Sequence, residues 1–225
     1  MLDPLVRAAS IARVYGTGHR RVHAVSDATF TIGTGDTIAV LGPSGSGKST
    51  LLHLIAGLEV PSTGSISWPA IGDRSALRPG PVGFSFQGPS LLPPLSVLEN
   101  VALPVILAGG SDADARAEAR ELLEAFSAAE LADRLPEELS GGQSQRVGLA
   151  RAFAGSPTLV LADEPTGQQD HASGERIVEA ALSLIERARG ALVVATHDRT
   201  LAEQLGARWI MRDGALQPED LSCSA

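Results

Sequence analysis

Short apolar runs followed directly by polar residues are the most regular feature of this chain. Residues 37–41, 159–162 and 191–195 are apolar and rich in branched side chains. Runs of this length are typical of strands that are buried on both faces of a parallel sheet. The second and third runs lead into Asp163-Glu164 and Thr196-His197. Since open α/β sheets bind ligands at the carboxyl ends of their strands, these polar groups are candidate site residues.

Two other patterns complete the predicted sheet and its first helix. Residues 49–57 carry apolar side chains at helical spacing and stop at Gly57, which favours a helix with a glycine cap. Residues 25–38 and 64–68 mix Thr, Ser, Phe, Ile and Gly as antiparallel strands do.

The middle of the chain changes to a helical pattern. Ser96 and Glu99 have capping-box spacing, and residues 111–135 are rich in alanine. The large apolar side chains of this segment are expected along one helix face: Leu122, Leu123, Phe126 and Leu131. We therefore predict a helical subdomain over residues 89–154, inserted between two parts of an α/β core, residues 1–88 and 155–225.

Composition narrows the class of protein. The 225 residues carry a formal net charge of -8, which argues against a nucleic-acid partner because such a partner requires a basic surface. No apolar run approaches the roughly 20 residues that cross a bilayer. The lone cysteine, Cys223, allows no internal disulfide and fits a reducing compartment. Of the 18 basic residues, 17 are arginine, and the single lysine is Lys48.

That lysine lies in a phosphate-binding pattern. The pattern comprises Gly42, Pro43, Ser44, Gly45, Ser46, Gly47, Lys48, Ser49 and Thr50. It has the predicted strand before it and the predicted helix after it, as a phosphate loop requires. Backbone N–H groups and the helix N-terminus would hold phosphate oxygens. Lys48 would reach the β- and γ-phosphates, and the Ser49 hydroxyl would coordinate Mg²⁺.

The pair Asp163-Glu164 supplies the second half of a nucleotide site. A carboxylate at a strand end can hold Mg²⁺ through water, and Asp163 has that position. The adjacent Glu164 is the candidate general base that orients and deprotonates the attacking water. Taken without the phosphate loop, the pair would be as consistent with an ordinary transition from strand to loop.

The sequence Leu139-Ser-Gly-Gly-Gln143 resembles the signature motif of the ABC transporter ATPases. Ser140 and Gln143 have capping-box spacing, and the hydroxyl, the N–H groups of Gly141 and Gly142 and the helix dipole together form a second anion site. The resemblance covers essentially the whole chain. It implies a phosphate-loop NTPase core with a mixed, mostly parallel sheet, an antiparallel β subdomain and a helical subdomain. It also implies a head-to-tail homodimer in which each signature turn closes over the ATP held by the other copy.

The resemblance assigns further roles one residue at a time. Tyr15 matches the aromatic residue that stacks on adenine, and Gln87 matches the loop glutamine that contacts Mg²⁺ and the attacking water. His197 matches the histidine that contacts the γ-phosphate, and Asp170 matches the aspartate of the loop that crosses the dimer interface. Gln169 departs from the family, which usually has leucine there, and this change puts communication between the two sites in doubt.

Residues 86–104 and 161–167 are most similar to the branch that serves macrolide export, lipoprotein release and cell division. That likeness implies an ATPase on the inner face of the cell membrane, in the cytoplasm, which touches the membrane only through a transmembrane permease. A conventional importer or exporter engine is the alternative within the class. A soluble ABC ATPase acting on ribosomes or DNA, or a scaffold without turnover, is a more distant alternative.

Overall fold

The computed structural model describes residues 3–88 and 90–218. Its strands form a nine-stranded sheet. In chain order they are β1 Val6–Tyr15, β2 Val22–Ile32, β3 Thr37–Leu41, β4 Thr63–Ser67, β5 Val82–Ser85, β6 Leu159–Asp163, β7 Ala191–Thr196, β8 Ala207–Arg212 and β9 Ala215–Pro218.

Six α-helices and four short 3-10 helices accompany the sheet in the described ranges. The α-helices are α1 Lys48–Ile55, α2 Val97–Leu107, α3 Asp112–Ala125, α4 Gly141–Phe153, α5 His171–Ala188 and α6 Arg199–Glu203. The 3-10 helices are Gly18–Arg20, Arg74–Ala76, Ala129–Leu131 and Pro136–Glu138.

The sheet is mixed, and its order is β4-β1-β2-β9-β8-β3-β7-β6-β5. Strands β8, β3, β7, β6 and β5 run parallel to one another, whereas β4, β1 and β2 pair antiparallel. Strand β9 joins the two parts, parallel to β2 and antiparallel to β8. This arrangement confirms the predicted fold class of a mostly parallel core with an antiparallel β subdomain.

Two apolar layers cover the parallel strands, one on each face. Along β3, Ile38 and Val40 pack on one side with helix α1, while Ala39 and Leu41 pack on the other with α4, α5 and α6. Strands β6 and β7 alternate in the same way. Because successive side chains of a strand point to opposite faces, continuous apolar runs are what two covered faces require.

The antiparallel prediction for residues 25–38 is correct only as far as Ile32. A turn follows, in which the N–H of Gly33 donates to Asp36 Oδ2 at 2.7 Å and Gly35 has φ +86. Thr37 and Ile38 then belong to the parallel strand β3. This turn reverses the chain, so one apolar stretch contributes to both parts of the sheet. The long strand β1 was not predicted.

The helical segment is also shorter than its composition indicates. Helix α3 ends at Ala125, and Ser127 adopts φ +52, a left-handed conformation that stops the helix. Phe126 and Leu131 are buried beyond this break, together with Leu122 and Leu123 of the helix. The apolar face is therefore shared between a helix and the turn after it.

Asn100 connects helix α2 to the segment that precedes it, residues 92–96, by hydrogen bonds. It is fully buried in α2, and its side-chain oxygen accepts from the N–H of Leu92 at 2.7 Å. Its amide nitrogen donates to the carbonyls of Leu92, Leu95 and Ser96 at 3.0–3.1 Å. Every hydrogen-bonding atom of this side chain is thus satisfied.

No helix in the described part of the chain is long and apolar enough to cross a membrane. Cys223 lies outside the described residues.

We predict that Asn100→Ala lowers the free energy of unfolding by about 2–3 kcal/mol, because it leaves buried backbone groups without partners. Urea denaturation of the purified chain measures the effect. Leu107→Ala, on the same helix but 64% exposed, is the control and should change stability by less than about 0.5 kcal/mol. Equal effects of the two substitutions would contradict the assigned role of Asn100.

Candidate active site

A cavity of about 770 Å³ opens at the carboxyl ends of the parallel strands. Most of the predicted site residues line it, although they come from distant parts of the sequence. Its lining comprises Tyr15, Val22, Ala24, Ser44, Gly45, Gly47, Lys48, Ser49, Thr50, Gln87, Gln145, Asp163, Glu164, Gly167, Gln168 and His197.

The floor of the cavity is the loop between β3 and α1. Gly47, which precedes the helix, has φ +104, and a Cβ atom there would lie 1.9 Å from the carbonyl oxygen of Ala24. Only glycine fits this conformation and this approach. Helix α1 then starts at Lys48, so its first N–H groups have no partner within the helix. The loop is therefore built to bind an anion.

Lys48 is buried at this floor, with 6% of its surface exposed. Its Nζ donates to the carbonyl oxygens of Gly42 at 2.8 Å and Pro43 at 3.2 Å. It also lies 3.5 Å from Glu164 Oε1. The ammonium group is thus held at the mouth of the loop, facing the strand ends.

Glu164 follows β6 in an unusual backbone conformation. Its φ of +49 is uncommon for a non-glycine residue, and its N–H donates to the carbonyl of Ala195 in β7 at 2.9 Å. Oε2 lies 2.8 Å from Nδ1 of His197, whose side chain is 70% exposed. Because an ionised carboxylate only accepts, Nδ1 is the donor and Nε2 faces away from the carboxylate. Glu164 therefore joins Lys48 and His197 in one polar cluster.

Asp163, the last residue of β6, is 4% exposed, and its Oδ1 has no hydrogen-bond partner. Burial raises the pKa of its carboxyl, and a hydrogen bond from the Ser49 hydroxyl opposes that rise. An orphaned buried carboxylate oxygen beside a hydroxyl is the hard oxygen donor set that Mg²⁺ prefers. The residues present fit such an ion.

Tyr15 forms one wall of the cavity. Strand pairing sets it opposite Val22, a 60% exposed apolar side chain. The guanidinium of Arg13 lies 4.7 Å from the centre of the Tyr15 ring and is fixed by Glu59 at 2.6 Å. The wall thus offers an apolar surface of the kind on which a flat base stacks.

The signature turn does not line this cavity. Ser140 caps α4: its Oγ accepts from the N–H of Gln143 at 3.3 Å, and Gln143 Oε1 accepts from the N–H of Ser140 at 2.8 Å. The capping box expected from the sequence therefore forms. Ser140 and Gly141 are exposed, as is Asp170, which caps α5. Hydrogen bonds from the hydroxyl and N–H of Ser173 lower the pKa of Asp170.

Five cavity residues were not identified as site residues from the sequence: Val22, Ala24, Gln145, Gly167 and Gln168. Val22 is placed by the pairing of β1 with β2, and the first of those strands was not predicted. Gln145 Nε2 donates to the carbonyl of Glu164 at 3.0 Å, a contact between residues 19 positions apart. No local pattern in the sequence indicates such a contact.

The chain is similar to known proteins over most of its length. Residues 25–167 match the family described as ABC transporter. The chain is 41% identical over 223 residues to the lipoprotein-releasing system ATP-binding protein LolD of Bordetella pertussis, covering 96% of both chains. It is also 41% identical to LolD of Idiomarina loihiensis, over 97% of this chain and 99% of that protein.

Solved structures give the same result. The dimeric bacterial ABC transporter cassette MJ0796 is 34% identical, with a TM-score of 0.89 over 97% of this chain and all of that one. A second dimeric structure of MJ0796, in a post-hydrolysis state bound to ADP and Pi, has a TM-score of 0.88 over the same shares. The chain therefore belongs to the ABC transporter family, as a cassette that binds and hydrolyses ATP.

Proposed function

We propose that this chain drives a membrane-bound ABC complex that releases lipoproteins or does closely related work, and that Glu164 is its general base. The observation that carries the catalytic part is the contact of Glu164 with both Lys48 and His197 above the phosphate loop. The likeness to LolD over almost the whole chain supports the lipoprotein part.

Each of the three side chains in the cluster has a separate role in hydrolysis. Lys48 and the loop N–H groups bind the phosphate oxygens and neutralise their charge. The Glu164 carboxylate, left with a free lone pair, orients the attacking water and accepts its proton. His197 holds that carboxylate through Nδ1 and presents its other ring nitrogen toward the γ-phosphate. The left-handed backbone of Glu164 aims the carboxylate at the loop.

Asp163, Ser49 and Gln87 are the residues that would hold Mg²⁺. When bound, the ion would supply positive charge to the phosphate oxygens. Asp163 contributes a carboxylate with an unpartnered oxygen, Ser49 a hydroxyl and Gln87 an amide, and all three line the cavity. In the described residues, no three His, Cys, Asp or Glu side chains cluster as a metal site. This agrees with an ion that depends on the nucleotide for most of its ligands.

Tyr15 and Val22 would hold the adenine. The Arg13 guanidinium packs against the Tyr15 ring and is paired with Glu59, so it supports the ring within the cavity wall.

We further propose that two copies assemble head to tail. The turn of Ser140, Gly141 and Gly142 has anion-binding chemistry but does not line the cavity of its own chain, and its first two residues are exposed. The Gln143 side chain accepts from the N–H of Ser140, and Gln169, the neighbour of Asp170, donates to the carbonyl of Gly142, so the loop of Asp170 lies beside the turn. A second copy would bring its ATP to this turn. The dimeric structures of MJ0796, similar over nearly the whole chain, support such an arrangement.

A transmembrane permease would be the partner whose conformation changes when the cassette binds and hydrolyses ATP. Gln87 directly follows Phe86, and Leu92 lies five residues further along the chain; both are large apolar side chains that are exposed. Exposed apolar side chains beside a nucleotide-sensing residue mark a surface that a protein partner can cover. The chain itself would stay on the cytoplasmic side, as a peripheral subunit. An importer engine would use the same catalytic residues, so the partner decides between the two assignments.

We predict that Glu164→Gln lowers ATP turnover by at least about a hundredfold, because the amide cannot accept the proton of the attacking water. ATP binding should persist, and the variant should accumulate as an ATP-bound dimer. Phosphate release and size-exclusion chromatography measure the two effects. Lys48→Ala, which should lose nucleotide binding itself, is the comparison. Normal turnover by Glu164→Gln would remove the general-base assignment.

We predict that Asp163→Asn raises the free energy of unfolding of the nucleotide-free chain by about 1 kcal/mol at pH 7 while abolishing Mg²⁺-dependent hydrolysis. A carboxyl with a raised pKa in the folded state destabilises the fold when it is ionised. That penalty is complete above the raised pKa and disappears as the pH falls toward the ordinary value of 3.8. The gain should therefore shrink between pH 7 and pH 4.

Urea denaturation at both pH values measures the gain. Asp170, whose pKa is lowered by Ser173, is the matched control, and Asp170→Asn should give no gain. A gain for Asp163→Asn that grew on acidification would refute the assigned cost of burial.

We predict that the chain, co-expressed with the products of neighbouring genes, is recovered from detergent-solubilised membranes with a permease. Phe86→Ser and Leu92→Ser should reduce that recovery severalfold, and Leu107→Ser, at an apolar position that is more exposed than either, should not. Recovery with the substrate-binding components of an importer would favour the alternative. Absence of any membrane protein from the purified complex would exclude both.

A further inference from the structure

The loop after Glu164 packs against the N-terminal part of helix α4 through three glutamines, Gln145 of the helix and Gln168 and Gln169 of the loop. Gln145 donates through Nε2 to the carbonyl of Glu164 at 3.0 Å and accepts through Oε1 from the N–H of Gln168 at 3.1 Å. Gln169 donates through Nε2 to the carbonyl of Gly142 at 2.7 Å. The loop that follows the proposed base is thus bonded directly to the signature turn of the same chain.

This packing explains why both positions of the turn are glycine. A Cβ atom on Gly141 would lie 1.6 Å from Gln168 Oε1. A Cβ atom on Gly142 would lie 2.9 Å from both the carbonyl oxygen of Gln168 and Gln169 Nε2. A side chain at position 142 would displace the loop backbone, whereas one at position 141 would displace the Gln168 side chain. The glycine at 142 therefore allows the close approach that the hydrogen bond from Gln169 requires.

The bond from Gln169 continues toward the Ser140 hydroxyl. The carbonyl of Gly142 and the N–H of Gln143 belong to one peptide group. That N–H donates to Ser140 Oγ at 3.3 Å. A donor at the carbonyl end of a peptide group polarises its N–H, which strengthens the next bond in the series. With a lone pair of Oγ engaged in this way, the hydroxyl proton is free to point at an anion.

We propose that Gln169 is a positioning residue that orients the Ser140 hydroxyl toward the ATP of a second copy. The proposal rests on the head-to-tail dimer proposed above. Gln169 does not line the nucleotide cavity of its own chain, so its effect is exerted across the interface. Leucine, which has similar volume but no donor, cannot make this bond.

The test measures ATP-driven dimerisation of the full chain in the Glu164→Gln background, by sedimentation at saturating Mg²⁺-ATP. We expect Gln169→Leu to raise the dimer dissociation constant about tenfold, because the Ser140 hydroxyl is no longer oriented toward ATP at either of the two sites of a symmetric dimer. A tenfold change is about 1.4 kcal/mol, or about 0.7 kcal/mol for each weakened hydrogen bond. Gln169→Glu should raise it further, since a carboxylate would face the Gly142 carbonyl. Gln217→Leu, at an exposed position of β9, is the control and should leave the constant unchanged.

A double-substitution cycle separates positioning from general packing. In a Ser140→Ala background, Gln169→Leu should have little further effect, because the group it orients is gone. Binding of a fluorescent ATP analogue to the monomer should be the same in all variants. In the Glu164 parent, the maximal turnover at saturating protein concentration should be retained, while the protein concentration for half-maximal turnover rises.

Three results would overturn the proposal. The first is an unchanged dimer dissociation constant in Gln169→Leu. The second is an effect of Gln169→Leu on the free energy of dimerisation that adds fully to the effect of Ser140→Ala. That result would assign Gln169 to packing alone. The third is failure of the Glu164→Gln parent itself to dimerise with ATP. This result would also refute the proposed head-to-tail dimer, and it is distinguishable because the Gln217→Leu control would fail to dimerise as well.

Discussion

The register between three parallel strands is the constraint on which the site depends. Leu41 pairs with Thr196, and Asp163 pairs with Ala195, so β3, β6 and β7 end at one level of the sheet. The residues that follow these ends are the phosphate loop, Glu164 and His197. A shift of one residue would turn each strand's apolar side chains to the opposite layer. The two covered faces therefore fix the geometry of the chemistry as firmly as they fix the core.

The buried charged groups of the site reduce the stability that the apolar core provides. Lys48, Asp163 and Glu164 are all buried, and removing such groups from water is unfavourable unless they are paired. The 3.5 Å contact between Lys48 and Glu164 compensates part of this penalty in the absence of nucleotide. Asp163 keeps an oxygen without a partner. The unfavourable terms concentrate where phosphate and cation would bind, as expected of a site that is completed by its ligands.

Local patterns were sufficient for the elements that carry their own signals. The buried strands follow from apolar runs, helix α1 from its periodicity and terminal glycine, and the start of α4 from the spacing of Ser140 and Gln143. Strand β1 was missed because register shifts along it interrupt the alternation of its side chains. The ends of the antiparallel stretch and of α3 depended on turn conformations at Gly35 and Ser127. The places of Val22 and Gln145 in the cavity depended on contacts distant in sequence, which no periodicity records.

The geometry of the site gives a physical reason why the basic residue at position 48 is lysine, when the other 17 basic residues of the chain are arginine. Lys48 Nζ sits between the carbonyl oxygens of Gly42 and Pro43 on one side and the Glu164 carboxylate on the other. An ammonium group has three donors on a small tetrahedral centre and can serve all three acceptors from one point. A guanidinium is planar and broad, and its donors diverge in a plane, so it would need a wider opening in the loop. Elsewhere in the described chain, Arg116 binds the exposed carboxylate of Asp112 and Arg151 donates to the backbone carbonyl of Ser90, and there a planar group is suitable. Shape, in addition to charge, therefore selects lysine at this position.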